Sequence, residues 1–294
     1  LIIITIDGLN WKVAKEYFMD LFPVQSTRMV KNNVRVYTNT AEMGSPTVVG
    51  LFCLWTGRKP RDFHPSVFAR LGKIKLGFKE ENYPIKFIDK QNKEMDTIFN
   101  YFDKCKIQGT HNGPCPYLDD WIQSDKDTTN ESYFLSFTNL ADNVIQLESE
   151  DLVQFREFAI KDWDLLHIHT GIGKLGILQP GPYEQCNLYA VNEYEHHRRD
   201  KADKKRIWIN GMIRYKYVIQ HIINDMIKDE VVIVTADHGT MLDEPLTPEQ
   251  IDDVPLIVNK KVDLSDINYQ WDIKKLILRL KEEYDDKKEK SSTD

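Results

Sequence analysis

Two short, wholly apolar runs constrain this chain more than any other feature: Leu1-Ile2-Ile3-Ile4 and Val231-Val232-Ile233-Val234, near opposite ends of a 294-residue sequence. Rich in β-branched residues and free of polar alternation, they read as strands buried on both faces, as central parallel strands are. Each ends in polar residues and a glycine, Asp7-Gly8 in one case and Asp237-His238-Gly239 in the other. Between them, apolar runs alternate with stretches whose apolar residues recur every three or four positions. Strands are expected over 1–6, 34–38, 164–169, 231–235 and 255–258, and helices over 11–20, 47–56, 94–103, 150–161, 205–227 and 269–284. That alternation predicts an α/β fold with a mostly parallel central sheet and helices on both faces. Residues 1–284 read as one domain, 60–135 as irregular insertions over one end of the sheet, and 285–294 as a flexible tail without apolar content.

Composition narrows the partners. With 39 basic and 46 acidic side chains the net charge is −7, which argues against non-specific binding to a nucleic-acid backbone. No apolar run approaches the ~20 residues that span a bilayer. The sequence opens at Leu1, already inside a strand pattern, so upstream residues are expected, a signal or membrane anchor stays open among them, and the compartment is not set. Cys53, Cys105, Cys115 and Cys186 form no CxxC pair. Cys105 and Cys115 are near enough for a local disulfide, while four scattered thiols equally suit a reduced compartment. Segment 193–206 carries eight His, Lys or Arg residues, a solvated helix surface or a platform for an anion.

Open parallel sheets bind ligands beyond the C-terminal ends of their strands. Asp7, Asp237 and His238 are expected there and can supply the oxygen and nitrogen ligands of a zinc- or manganese-type site, although Asp7-Gly8 alone also reads as a common turn. An ionised Asp237 beside an apolar core is costly unless a cation or a donor satisfies it. A third segment, Gly44-Ser45-Pro46-Thr47-Val48-Val49-Gly50, runs into an apolar helix that ends at Thr56-Gly57-Arg58. Ser45 or Thr47 then sits near a helix N-terminus, where free N–H groups favour an anion, or serves only as a helix cap.

In this order the three segments resemble the alkaline phosphatase superfamily, in particular its sulfatase and nucleotide-pyrophosphatase/phosphodiesterase branches. The resemblance spans the chain. In that family the first strand ends in a metal-binding Asp, here Asp7, and a nucleophile stands nine residues before a Thr-Gly pair, which selects Thr47, with Ser45 in reserve. The late Asp-His-Gly motif matches Asp237-His238-Gly239, and the strand after it matches Val254-Pro255-Leu256-Ile257-Val258. A threonine cannot become the formylglycine of sulfatases, so the resemblance implies phosphoryl chemistry. Gly173 and Ile177 stand where two-metal relatives carry an Asp and a His, and no His follows His238. The implied site therefore holds one divalent ion, zinc or manganese, on Asp7, Thr47, Asp237 and His238.

The resemblance implies a metal-dependent phosphodiesterase, phosphatase or phosphotransferase that acts through Thr47 on a small-molecule or a lipid- or glycan-linked phosphoester. A degenerate member that serves as a binding or structural module is the alternative. His167 and His169 alternate along one strand and share a face; His167 reads as a core histidine and His169 as a proton donor or phosphate contact. His64, shortly after the Thr-Gly-Arg, is either loop structure or a substrate contact.

Overall fold

The computed structural model describes residues 1–6, 8–32, 46–64, 87–109, 164–170, 209, 216, 219, 220, 230–239 and 249–291. Their elements are β1 (Ile2–Ile6), α1 (Trp11–Tyr17), β2 (Ser26–Lys31), α2 (Pro46–Thr56), β3 (Cys105–Gly109), β4 (Leu165–Thr170), β5 (Val232–Thr235), a single turn α3 (Glu249–Asp252), β6 (Asp253–Val258) and α4 (Ile273–Ser291). Short 3₁₀ turns cover Pro60–Asp62, Ile98–Tyr101 and Gln270–Asp272.

The six strands form one sheet in the order β2-β6-β5-β1-β4-β3. The pairs β5-β1, β1-β4 and β4-β3 are parallel, whereas β6 runs antiparallel to both β5 and β2. The sheet is thus only partly parallel, which corrects the expectation of a mostly parallel one: parallel pairing holds for the block built on the two apolar runs. Those runs lie side by side at its centre, Ile2 opposite Val232 and Thr5 opposite Thr235, with every residue of β1 and β5 buried. Each fully buried Ile or Val contributes roughly 1.5–3 kcal/mol of transfer free energy, so this block anchors the core.

Two strands have no clear sequence signature. β2 and β3 are edge strands, and β2 is only half-buried along most of its length, so neither needs a continuous apolar run. The expected strand 34–38 and helix 150–161 lie outside the described residues. Part of 60–135 supplies sheet, since β3 falls within it, and the helix expected at 94–103 is the 3₁₀ turn Ile98–Tyr101. Cys105 opens β3 buried, its Sγ within reach of the Phe99 and Phe102 carbonyls, and Cys115, its expected disulfide partner, lies outside the described residues. Residues 209, 216, 219 and 220 are helical, within the helix expected at 205–227. Lys216 and Gln220, one turn apart, both grip Asp20 after α1. Among the described residues no helix is long and apolar enough to cross a membrane.

Helix α2 is apolar all round, and Leu51, Phe52, Cys53, Leu54 and Trp55 are all buried. A helix of this kind must be covered on every side. It begins at Pro46, whose missing N–H costs nothing in a first turn. It stops at Gly57, which adopts φ 68° and returns its N–H to the Cys53 carbonyl. Thr56 completes the stop, donating to the Phe52 carbonyl and accepting from the Arg58 N–H. The Thr-Gly-Arg landmark is therefore a helix terminator. Gly50 of α2 abuts Asp237 beyond the C-terminal end of β5, while Trp55 reaches His167 in mid-sheet. The helix thus runs back along the sheet from the strand ends, with its first turn, Thr47 included, toward the C-terminal end of β5.

Candidate active site beyond the end of strand β5

Asp237 lies two residues past β5 and is fully buried. One carboxylate oxygen, Oδ1, accepts the N–H of Gly8 at 3.1 Å. Gly8 adopts φ 72°, a left-handed turn that turns its N–H toward Asp237. The two glycines that follow the motifs differ in purpose. Gly8 supplies a turn; Gly239 supplies space, because a Cβ there would stand 2.1 Å from the Gln250 carbonyl oxygen.

The other oxygen, Oδ2, is buried and has no hydrogen-bond partner among the described residues. His238 Nε2 stands 3.4 Å from it. Across the ring, His238 Nδ1 lies 2.8 Å from the Gly239 carbonyl oxygen, which can only accept, so Nδ1 carries the proton. A positive charge between Nε2 and the carboxylate oxygen satisfies both, either a second proton on His238, which makes an ion pair with Asp237, or a cation. The separation fits one: two ligands each about 2.0–2.1 Å from a tetrahedral ion stand about 3.4 Å apart. A backbone carbonyl that holds the far ring nitrogen is also the usual way in which a metal-binding histidine is oriented. These two residues fit a divalent cation. Among the described residues no group of three or more His, Cys, Asp or Glu side chains is placed to hold a metal. Asp7 and Ser45 lie outside the described residues, as do Gly173 and Ile177. Thr47 is placed in the first turn of α2 by its backbone, three residues before Gly50, and its side chain lies outside the description.

His167 and His169 share the sheet face that α2 covers, and both are buried. Thr5 joins them, its Oγ1 standing 3.0 Å from His167 Nε2 and 3.0 Å from His169 Nδ1. The Trp55 indole N–H donates to His167 Nδ1 at 2.9 Å. Because an indole nitrogen can only donate, His167 is the Nε2–H tautomer and donates to Thr5. Burial, with neighbouring His169 second, lowers the pKa of His167 to about 3, so it stays neutral. His64 is half-buried on a different element: its N–H donates to the Ile88 carbonyl, and adjacent Phe63 packs on Phe52 of α2.

Sequence patterns do not single out Asn32, Gln270, Trp55 or Thr5. Asn32 and Gln270 are fully buried, and their side-chain amides donate to backbone carbonyls at the end of β5. Neither belongs to a motif, and no local signal marks them.

No protein-family model and no curated protein matches this sequence. Solved structures do resemble it over most of its length. The C-terminal periplasmic domain of EcEptC from Escherichia coli, in complex with Zn, aligns with 93% of this chain and 80% of its own at 9% identity and a TM-score of 0.44. A mutant of the TAB5 alkaline phosphatase with Mg bound covers 95% of this chain and 96% of its own, at 12% identity and a TM-score of 0.46. A protein in the alkaline phosphatase superfamily from Vibrio parahaemolyticus covers 89% of this chain and 60% of its own, at 15% identity and a TM-score of 0.40.

Proposed function

We propose that this chain is a phosphoester-processing enzyme of the alkaline phosphatase superfamily, with one divalent ion, zinc or manganese, held by Asp7, Thr47, Asp237 and His238. The observation that carries the reading is the Asp237–His238 pair: a buried carboxylate oxygen with no hydrogen-bond donor among the described residues, 3.4 Å from an imidazole nitrogen whose partner nitrogen is held by a carbonyl. A bound divalent cation supplies the positive charge that makes a hydroxyl nucleophilic at neutral pH. The chain's own residues do the rest. Gly50 approaches Asp237 closely, and Thr47, three residues earlier on α2, is the proposed nucleophile. The Thr47 hydroxyl gives up its proton to solvent water and its oxygen attacks phosphorus, forming a P–O bond to the enzyme while the bond to the leaving alcohol breaks. N–H groups of the α2 first turn face the charge that gathers on the other phosphoryl oxygens. The departing oxygen takes a proton from His169 or His64, and water or an acceptor alcohol then releases the phosphoryl group. The proposed substrates are small-molecule or lipid- or glycan-linked phosphoesters, handled by a single α/β domain.

Turnover of a chromogenic phosphodiester and a monoester, with zinc or manganese added, tests this reading. Thr47→Ala is expected to lower turnover by a factor on the order of 10³ or more, since it removes the attacking atom, while Ser45→Ala stays within a few-fold of the parent. The reverse ranking would assign the nucleophile to Ser45. Gly173 and Ile177, in place of second-metal ligands, favour the second reading, a non-catalytic binding module. Bound metal with no turnover of either ester would support that module.

A further inference from the structure

We infer that Asn32 and Gln270 are positioning residues for the Asp237–His238 pair, an inference that rests on the metal-site reading above. The ladder of β5 ends at Thr235, so the carbonyls of Ala236 and Asp237 leave the sheet inside the protein, where an unpaired carbonyl is costly. Two side-chain amides take over. Gln270 Nε2 donates to the Ala236 carbonyl at 2.6 Å and to the Asp237 carbonyl at 3.2 Å. Asn32 Nδ2 donates to the same Asp237 carbonyl at 3.2 Å and to the Ile251 carbonyl at 3.3 Å. Ile251 in turn accepts the N–H of Gly239 at 2.7 Å. The segment is therefore held on both sides of His238, by amides at 236–237 and by a carbonyl at 239. Gly50 presses on the Asp237 carbonyl from α2, and Gly8 holds the carboxylate.

The clamp does more than satisfy backbone groups. Gln270 Oε1 is buried and has no hydrogen-bond partner among the described residues, a cost that a purely structural amide would avoid. What the two amides share is the one carbonyl between Asp237 and His238, whose orientation sets how the carboxylate and the imidazole face each other. Holding two ligands at a fixed separation is what a metal site requires of its outer partners.

The test is titration of the purified 294-residue chain with Co(II) and Zn(II), reading affinity and the visible Co(II) spectrum, for the parent, Gln270→Met, Asn32→Ala and Asn259→Ala. Asn259 is the control: its amide holds the opposite end of β5, accepting from the Val232 N–H and donating to the Glu230 carbonyl. Gln270→Met and Asn32→Ala are each expected to weaken metal binding by about 10–100-fold and to alter the Co(II) bands. Asn259→Ala should lower thermal stability and leave both readouts within twofold of the parent. If Gln270→Met fails to fold, Asn32→Ala alone carries the comparison. A parent that binds metal with both clamp variants unchanged overturns the clamp and spares the metal site, as does an Asn259→Ala loss equal to theirs. A folded parent that binds neither ion overturns both.

Discussion

The two ends of β5 are fastened by the same device and finished in opposite ways. At the N-terminal end, Asn259 accepts from the Val232 N–H at 2.9 Å and donates to the Glu230 carbonyl at 2.8 Å, while its own N–H returns to the Val232 carbonyl. Donor and acceptor of that amide are both matched. At the C-terminal end, Asn32 and Gln270 make four donations, yet Asp237 Oδ2 and Gln270 Oε1 stay buried without hydrogen bonds among the described residues. Buried acceptors in excess of donors cost stability unless a positive charge meets them. One end of the strand is thus a closed structural joint. The other keeps buried acceptors that no described donor meets.

On the neighbouring strands β1 and β4, under α2, lies a third arrangement, the chain Trp55–His167–Thr5–His169, and acid is the largest expected perturbation of it. The folded-state pKa of His167 is about 3 against an ordinary 6.5, so the unfolded chain takes up a proton first. Its contribution is complete above pH 6.5 and falls away as the pH drops from 6.5 toward 3, at roughly 1.4 kcal/mol per unit of pKa difference. Urea unfolding at pH 7, 5 and 4 should show this decline, and His167→Gln should flatten it, because a glutamine amide can accept from Trp55 and donate to Thr5 without titrating. An equal slope in that variant would move the acid sensitivity to other groups.

A smaller effect separates the two ends sterically. A Cβ at Gly50 would lie 2.1 Å from the Asp237 carbonyl oxygen, a backbone atom that cannot turn aside. Gly50→Ala should therefore push α2 off the strand end, costing about 1–3 kcal/mol as an overpacked core does. Metal affinity should fall with it, which Asn259→Ala does not produce. An Ala variant with parental stability and metal binding would mean that the close approach is slack.

The smallest expected change in stability is the most direct test of the contrast. Asp237→Asn keeps the oxygen that accepts from Gly8 and removes a buried negative charge, so thermal unfolding should shift upward or by less than about 1 kcal/mol in either direction. Metal binding should be lost in the same protein. A strongly destabilised Asn variant would make Asp237 a structural residue and erase the difference between the two ends.

The central strands and the helix stop were legible because their causes are local. Continuous β-branched runs have few homes other than a strand covered on both faces, and Gly57 after an apolar helix is a stop wherever it occurs. The edge strands β2 and β3 escaped because one-sided pairing and partial burial place little demand on residue type. At the site, Asp237 and His238 were legible through their place after β5 and their motif. The residues that grip them were not, since Asn32 lies 205 positions from Asp237 and Gln270 lies 33.

What the sequence by itself determined is therefore the central strands β1, β4 and β5 and the buried α2 helix. These follow from side-chain period and backbone propensity, which act over a few residues. Only the tertiary structure decided which nitrogen of His167 bears its proton, because that depends on the Trp55 N–H arriving from another element. It also decided that β6 runs antiparallel and that two unmarked amides close on the carbonyl between Asp237 and His238. Hydrogen bonds of this kind depend on position in space to within tenths of an ångström, and no local pattern carries that information.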